Sequence, residues 1–197
     1  SLSSDGNTVA IGAPENDGNG NSSGHVRIYN YDGNSWNQLG QDIDGEAAND
    51  QSGNSVSLSS DGNIVAIGAR RNIGNGLDAG HVRVYENING VWTQLGQDID
   101  GNSSELSGHS VSLNGNGDMV SIGSPGSCGS GQGCIGRVRI YNFDGTSWNQ
   151  IASDIVGESG GDGSGRAVYL SDNASKVAVG APYNSGNGTN AGHVRVF

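Results

Sequence analysis

From Val56 onward, apolar and polar positions alternate in short runs, and no stretch shows helical spacing. Val56-Ser57-Leu58-Ser59 alternates, and Asp61-Gly62-Asn63 follows as a hairpin turn in which glycine supplies a positive φ. The chain then returns as Ile64-Val65-Ala66-Ile67-Gly68-Ala69. Val65 and Ile67 fall on one face of this strand, and Ala66 and Gly68 on the other. A Gly/Asn-rich loop leads to a third alternating run, His81-Val82-Arg83-Val84-Tyr85. After Asn89-Gly90 a fourth strand is expected around Trp92-Thr93-Gln94-Leu95.

The same order of elements recurs. Ser1-Leu2-Ser3 returns at Ser57, at Ser112-Leu113-Asn114 and at Tyr169-Leu170-Ser171, and residues 1–45 match residues 57–101 at 30 of 45 positions without a gap. Four strands every 55–57 residues predict an all-β fold, a β-propeller of four-stranded antiparallel blades. The repeats are 1–56, 57–111, 112–168 and a partial 169–197, which together form one region of three and a half units. A chain that starts inside a repeat and stops within one is expected to be a fragment of a larger array. The nearly bare Ala/Gly face of each second strand is expected to nest against the bulky face of the next blade.

Composition changes this picture little. Of 197 residues 36 are Gly, and Leu, Ile, Val and Phe supply just under a fifth, a level at which disorder begins to compete with folding. Periodicity and scarce Pro argue for a folded chain. The net charge of -11, from nine Lys plus Arg against twenty Asp plus Glu, excludes the basic footprint that nucleic acids or anionic membranes require. No apolar run is long enough for a transmembrane helix.

The repeat resembles the FG-GAP unit, the blade of the integrin α-subunit propeller and of many bacterial surface proteins. The Gly-Ala-Pro element stands as Gly12-Ala13-Pro14, Gly68-Ala69-Arg70, Gly123-Ser124-Pro125 and Gly180-Ala181-Pro182. The other element has lost its Phe and appears as Ser52-Gly53, Ser107-Gly108 and Ser164-Gly165. The resemblance implies a secreted or cell-surface protein. It also implies a calcium loop in many members, but here that connection has shrunk to Ser-Asp-Gly-Asn, too tight to present five or more oxygens to one ion. No cofactor is expected. Asp42, Asp44, Asp98 and Asp100 are the remaining acidic positions where calcium could bind, against a reading as solvated turn carboxylates.

Residues shared by every unit are expected to be structural, and a single site should use residues peculiar to one unit. By that test His25, His81 and His193 and the tryptophans Trp36, Trp92 and Trp148 are strand and packing residues. Arg70 and Arg71 replace the Pro14-Glu15 of the first unit, and the position after the repeated Ser-Gly varies as Asn54, His109 and Arg166. Arg70, Arg71, His109 and Arg166 are therefore the candidate binding residues, on loops over a shared scaffold. No nucleophile elbow, phosphate-binding loop or metalloprotease motif appears.

The expected function is a non-catalytic extracellular or cell-surface propeller for adhesion or protein binding, with a protein or glycan ligand at the loop rim. A carbohydrate-binding propeller, or part of a secreted glycosidase with its catalytic residues elsewhere, is the alternative. Cys128 and Cys134 share one Gly-rich loop, where a disulfide suited to an oxidising compartment closes easily. Intact mass without reductant is accordingly expected about 2 Da below the reduced mass, and equal masses would remove the bond.

Overall fold

A computed structural model describes residues 1–126 and 134–197. Cys128, and with it the expected Cys128–Cys134 pairing, lies outside the described residues. Among them every regular element is a strand, and the strands form four antiparallel sheets in chain order. The first holds β1 (Thr8–Ala13), β2 (His25–Tyr31), β3 (Trp36–Gln38) and β4 (Ile43–Asp44). The second holds β5 (Ser52–Leu58), β6 (Ile64–Ala69), β7 (His81–Ile88), β8 (Val91–Gln94) and β9 (Ile99–Asp100). The third holds β10 (Ser110–Leu113), β11 (Met119–Ser124), β12 (Arg137–Phe143), β13 (Trp148–Gln150) and β14 (Ile155–Val156). The fourth holds β15 (Ala167–Leu170), β16 (Val177–Ala181) and β17 (His193–Val196). This is the β-propeller arrangement that the repeat predicts, with one difference. The fourth strand of each complete blade is divided in two: β3 and β4 both pair with β2, through Tyr29↔Gln38 and Val26↔Ile43. Between them Gly40 sits at φ 78°, open to glycine at little cost, and turns the chain out of the ladder.

The blades stack by putting the bulky face of one against the small face of its predecessor. Leu58, Val65, Ile67 and Trp92 of the second blade pack on Ala10, Val26, Ile28 and Ile43 of the first. Leu113, Val120, Ile122 and Trp148 of the third pack in the same way on Ala66, Val82, Val84 and Ile99 of the second. The two motif glycines meet at this seam. A Cβ on Gly68 would lie 2.1 Å from the Gly108 carbonyl oxygen, and one on Gly12 would lie 2.0 Å from that of Gly53, so strands from adjacent blades cross at bare backbone.

Directional bonds then set the register between blades. Ser1 Oγ accepts from the Leu58 N–H at 3.0 Å, Ser57 Oγ from the Leu113 N–H at 3.0 Å, and Ser112 Oγ from the Leu170 N–H at 2.9 Å. The turned-out strand explains the recurring tryptophan: Trp92 Nε1 donates to the Leu39 carbonyl at 2.7 Å and Trp148 Nε1 to that of Leu95 at 2.8 Å. Both indoles are buried between blades, which agrees with the packing role and removes a sugar-stacking platform there. Trp36, with no preceding blade in the chain, is 47% exposed.

This difference is measurable. Trp148→Ala should destabilise by about 3–5 kcal/mol, through lost burial and an orphaned Leu95 carbonyl, whereas Trp36→Ala should cost under about 1 kcal/mol. Denaturant midpoints check this, and equal shifts would refute the packing role of Trp148.

Candidate functional site

Register brings two classes of loop to one end of the array. Ser52 pairs with Ala69 and Ala69 with His81, so the start of β5, the end of β6 and the start of β7 lie together. The linkers entering each blade therefore share a rim with the loops between second and third strands. Buried carboxylates fasten this rim. Asp50 accepts from Asn72 Nδ2 at 3.0 Å and from the Ala47 N–H at 3.2 Å, and its carbonyl accepts from the Arg71 N–H at 3.3 Å. Asp162 does the same in the linker entering the fourth blade, holding Asn184 Nδ2 at 2.8 Å while its carbonyl accepts from the Tyr183 N–H at 3.1 Å.

All four sequence-predicted binding residues lie on this rim, and Arg70, His109 and Arg166 act on one another electrostatically. Arg70 follows β6 and donates Nε to Gln51 Oε1 at 2.9 Å. His109 precedes β10, and its carbonyl accepts from Asn54 Nδ2 at 3.0 Å, a bond across the seam. Arg166 precedes β15 and sets its guanidinium 4.9 Å from the centre of the Tyr183 ring. Arg71 flanks the group, exposed. Arg166, Tyr183, Leu106, Pro125 and Gly163 line a cleft of about 340 Å³. Sequence reasoning missed Tyr183, although its position shows the same signal: Glu15, Arg71, Gly126 and Tyr183 differ from unit to unit.

Charge makes this cluster unusual. Among the described residues the other five arginines, Arg27, Arg83, Arg137, Arg139 and Arg195, are each ion-paired to Asp or Glu, whereas Arg70, Arg71 and Arg166 have no carboxylate within ion-pair distance. Burial, then the fields of Arg70 and Arg166, lower the His109 imidazole to about 4, so it is neutral at pH 7. Its Nδ1 is buried and has no hydrogen-bond partner among the described residues. Burial and the neighbouring Arg71 and Arg166 likewise lower the Arg70 guanidinium below its ordinary value, against an opposing pull from the more distant Asp78 carboxylate. Like charges held together in an acidic chain are stabilised by an anion, and a neutral imidazole beside them can accept a proton.

The acidic candidates lie apart from this cluster. Asp42 and Asp44 group with His25, and Asp98 groups with Glu46 and His81, each set offering ligand atoms within 4.8 Å of one another. Asp100 joins neither set and pairs in the ladder with His81. A cation there would compete with arginine: Arg27 donates to both oxygens of Asp42 at 2.8–3.0 Å, and Arg83 to both oxygens of Asp98 at 2.8 and 2.9 Å.

No family model and no curated protein matches the chain. Solved structures do share its fold. The periplasmic gluconolactonase PpgL of Pseudomonas aeruginosa superposes with a TM-score of 0.60 at 18% identity, over 100% of this chain and 55% of that one. A putative 6-phosphogluconolactonase of Bacteroides fragilis gives 0.52 at 18%, over 85% and 39%. An acylaminoacyl peptidase gives 0.51 at 10%, over 97% and 29%. This chain thus spans about half or less of their lengths. The expectation of a non-catalytic adhesion or ligand-binding propeller is corrected here: structures sharing this fold bear the names of enzymes, and none of the three is named for adhesion. No helix of the described residues is long and apolar enough to cross a membrane.

The paired arginines yield a pH prediction. Burial works to raise the Glu105 carboxyl, but two bonds from Arg139, at 2.6 and 2.9 Å, and those from Asn102 outweigh it and hold it at about 2. A depressed carboxyl stabilises the fold above its unfolded value near 4.5 and loses that contribution as pH falls toward 2. Up to about 3 kcal/mol should disappear across that window, less in Glu105→Gln, whose stability profile should be flatter there. Thermal melts between these limits check it, and parallel profiles would overturn the assignment.

Proposed function

We propose that this chain is part of a propeller enzyme that hydrolyses a small, negatively charged lactone at the rim of its blades. The observation carrying the proposal is the convergence, around a neutral His109, of arginines that form no ion pair among the described residues. The names of two structural neighbours, a gluconolactonase and a putative 6-phosphogluconolactonase, support a lactone as the class of substrate. An extracytoplasmic setting belongs to the same reading, supported by the periplasmic neighbour. The blade is read as FG-GAP-like, supported by the meeting of its two motif glycines at each seam.

The chemistry follows from charge and protonation. Arg70 and Arg166 hold the substrate's anionic group and stabilise the oxyanion that forms at the lactone carbonyl. Neutral His109 takes a proton from water as its oxygen bonds to that carbon. The ring C–O bond then breaks, and the imidazolium returns its proton to the departing alkoxide. Water is consumed, one hydroxy acid is formed and His109 ends neutral.

A pH-stat assay of this chain with glucono-lactone and its 6-phosphate near pH 6 tests the reading. His109→Gln should lower the rate by a factor of about 10² or more, and Arg166→Gln should both raise KM and lower kcat, because Arg166 holds the anionic group and stabilises the oxyanion. The rate constant kcat/KM should stay level through neutral pH and fall below about 4, where His109 becomes protonated. No acceleration over buffer, or an unchanged rate in His109→Gln, rejects it.

A further inference from the structure

Tyr183 is the rim residue that the proposed reaction leaves without a task. It stands where the first three units carry Glu15, Arg71 and Gly126, so this position is aromatic in one unit alone. The cleft it lines lies at the seam between the third and fourth blades: Leu106 and Pro125 flank β10 and β11, and Gly163, Arg166 and Tyr183 flank β15 and β16. At about 340 Å³ it is at the small end of ligand pockets, which run from roughly 300 to 1,000 Å³.

The wall formed by the fourth blade is held in place from below. The Tyr183 N–H donates to the Asp162 carbonyl and the Arg166 N–H to the Gly163 carbonyl, both at 3.1 Å. The Asp162 carboxylate is itself held by the Ser159 N–H at 3.1 Å and by Asn184 Nδ2 at 2.8 Å. Gly163 lies against both side chains, since a Cβ there would stand 3.2 Å from Tyr183 Cδ2 and 3.3 Å from Arg166 Cδ. The linkers entering the second and third blades carry Gln51 and Leu106 at this position, with φ 57° and 53° against 69° for Gly163. The turn therefore accepts side chains, and glycine at 163 clears room for the tyrosine and the arginine.

Arg166 is set over the Tyr183 ring with Cζ 4.9 Å from its centre. That attraction acts through the ring's quadrupole and leaves the guanidinium N–H donors to an anion. Leu106 and Pro125 opposite are apolar. A ligand that satisfies both walls is charged at one end and presents a compact body of C–H groups at the other. A closed ring supplies such a body without freezing the torsions that an open chain must give up.

We infer that Tyr183 determines specificity at the proposed site, clamping a single ring between itself and Leu106 and Pro125 while Arg166 holds an anionic group attached outside that ring. The inference rests on the reading of this rim as the substrate site, and it narrows the substrate to a lactone whose charge lies on a substituent of the ring. His109 adjoins the clamp, because its N–H donates to the Leu106 carbonyl at 3.1 Å.

Calorimetric titration with probes that carry a phosphate and no lactone tests this. In glucose 6-phosphate the anion hangs from a ring, sorbitol 6-phosphate is the open-chain counterpart, and inorganic phosphate has neither. Glucose 6-phosphate should bind about tenfold or more tightly than either of the others. Tyr183→Ala should bring it within about twofold of sorbitol 6-phosphate, Tyr183→Phe should keep the preference, and Arg166→Gln should weaken the binding of every probe. Equal affinities of the unsubstituted chain for glucose 6-phosphate and sorbitol 6-phosphate, or a preference that survives Tyr183→Ala, overturns the inference. Binding with this preference but no lactone hydrolysis refutes only the catalytic reading, and hydrolysis without the preference refutes only the clamp.

Discussion

Everything in this molecule depends on the burial of one sheet face against the next. A single sheet of this chain has two apolar faces and little depth, and the favourable term for covering such faces, roughly 25 cal/mol per Å² of apolar surface, becomes available only when blades stack. The alternation of bulky and small faces along each second strand converts that general force into a specific one. Val65 and Ile67 need a shallow surface opposite them, and Ala10 with Gly12 provides it. Hydrogen bonds to serine hydroxyls and from the indoles of Trp92 and Trp148 then remove the freedom to slide.

Because the seams are built by recurring residues, the rim is left free to vary. Asp50 and Asp162 hold equivalent loops in equivalent places, yet one loop carries Arg71 and the other Tyr183. Glu105 occupies the same position in the linker entering the third blade, and its side chain turns instead to Arg139. The paired arginines are part of the frame. The three that form no ion pair among the described residues lie where the units differ from one another, and their mutual repulsion around His109 is sustained because the loops beneath them are fastened independently. A stack of packed seams thus supports a local concentration of positive charge on a chain whose net charge is -11.

Much of this was legible in the sequence. The strand alternation, the period and the bare Ala/Gly face led to blades and to their order of packing, because each property is local and repeats. Subtracting what recurs isolated Arg70, Arg71, His109 and Arg166, and the structure places all four on one rim. The same subtraction assigned Trp92 and Trp148 to packing, as found. The division of the fourth strand was not legible, since Leu39-Gly40-Gln41 turns out of its ladder to reach a partner 53 residues away. The functional expectation failed for a related reason: motif resemblance reported the blade and was silent on the charge gathered at its rim.

By itself the sequence determined what period 2 and turn chemistry can encode: the strands, their faces, the hairpins and the repeat that makes stacking possible. Tertiary structure decided which charges are neutralised and which are not. Eight arginines look alike in the sequence, and only the register between blades sets Asp42, Asp98, Asp154 or Glu158 beside five of them and brings Arg70 and Arg166 to a shared imidazole. The physical reason is that electrostatic energy depends on distance and burial across seams, and neither quantity is a property of a residue's neighbours along the chain.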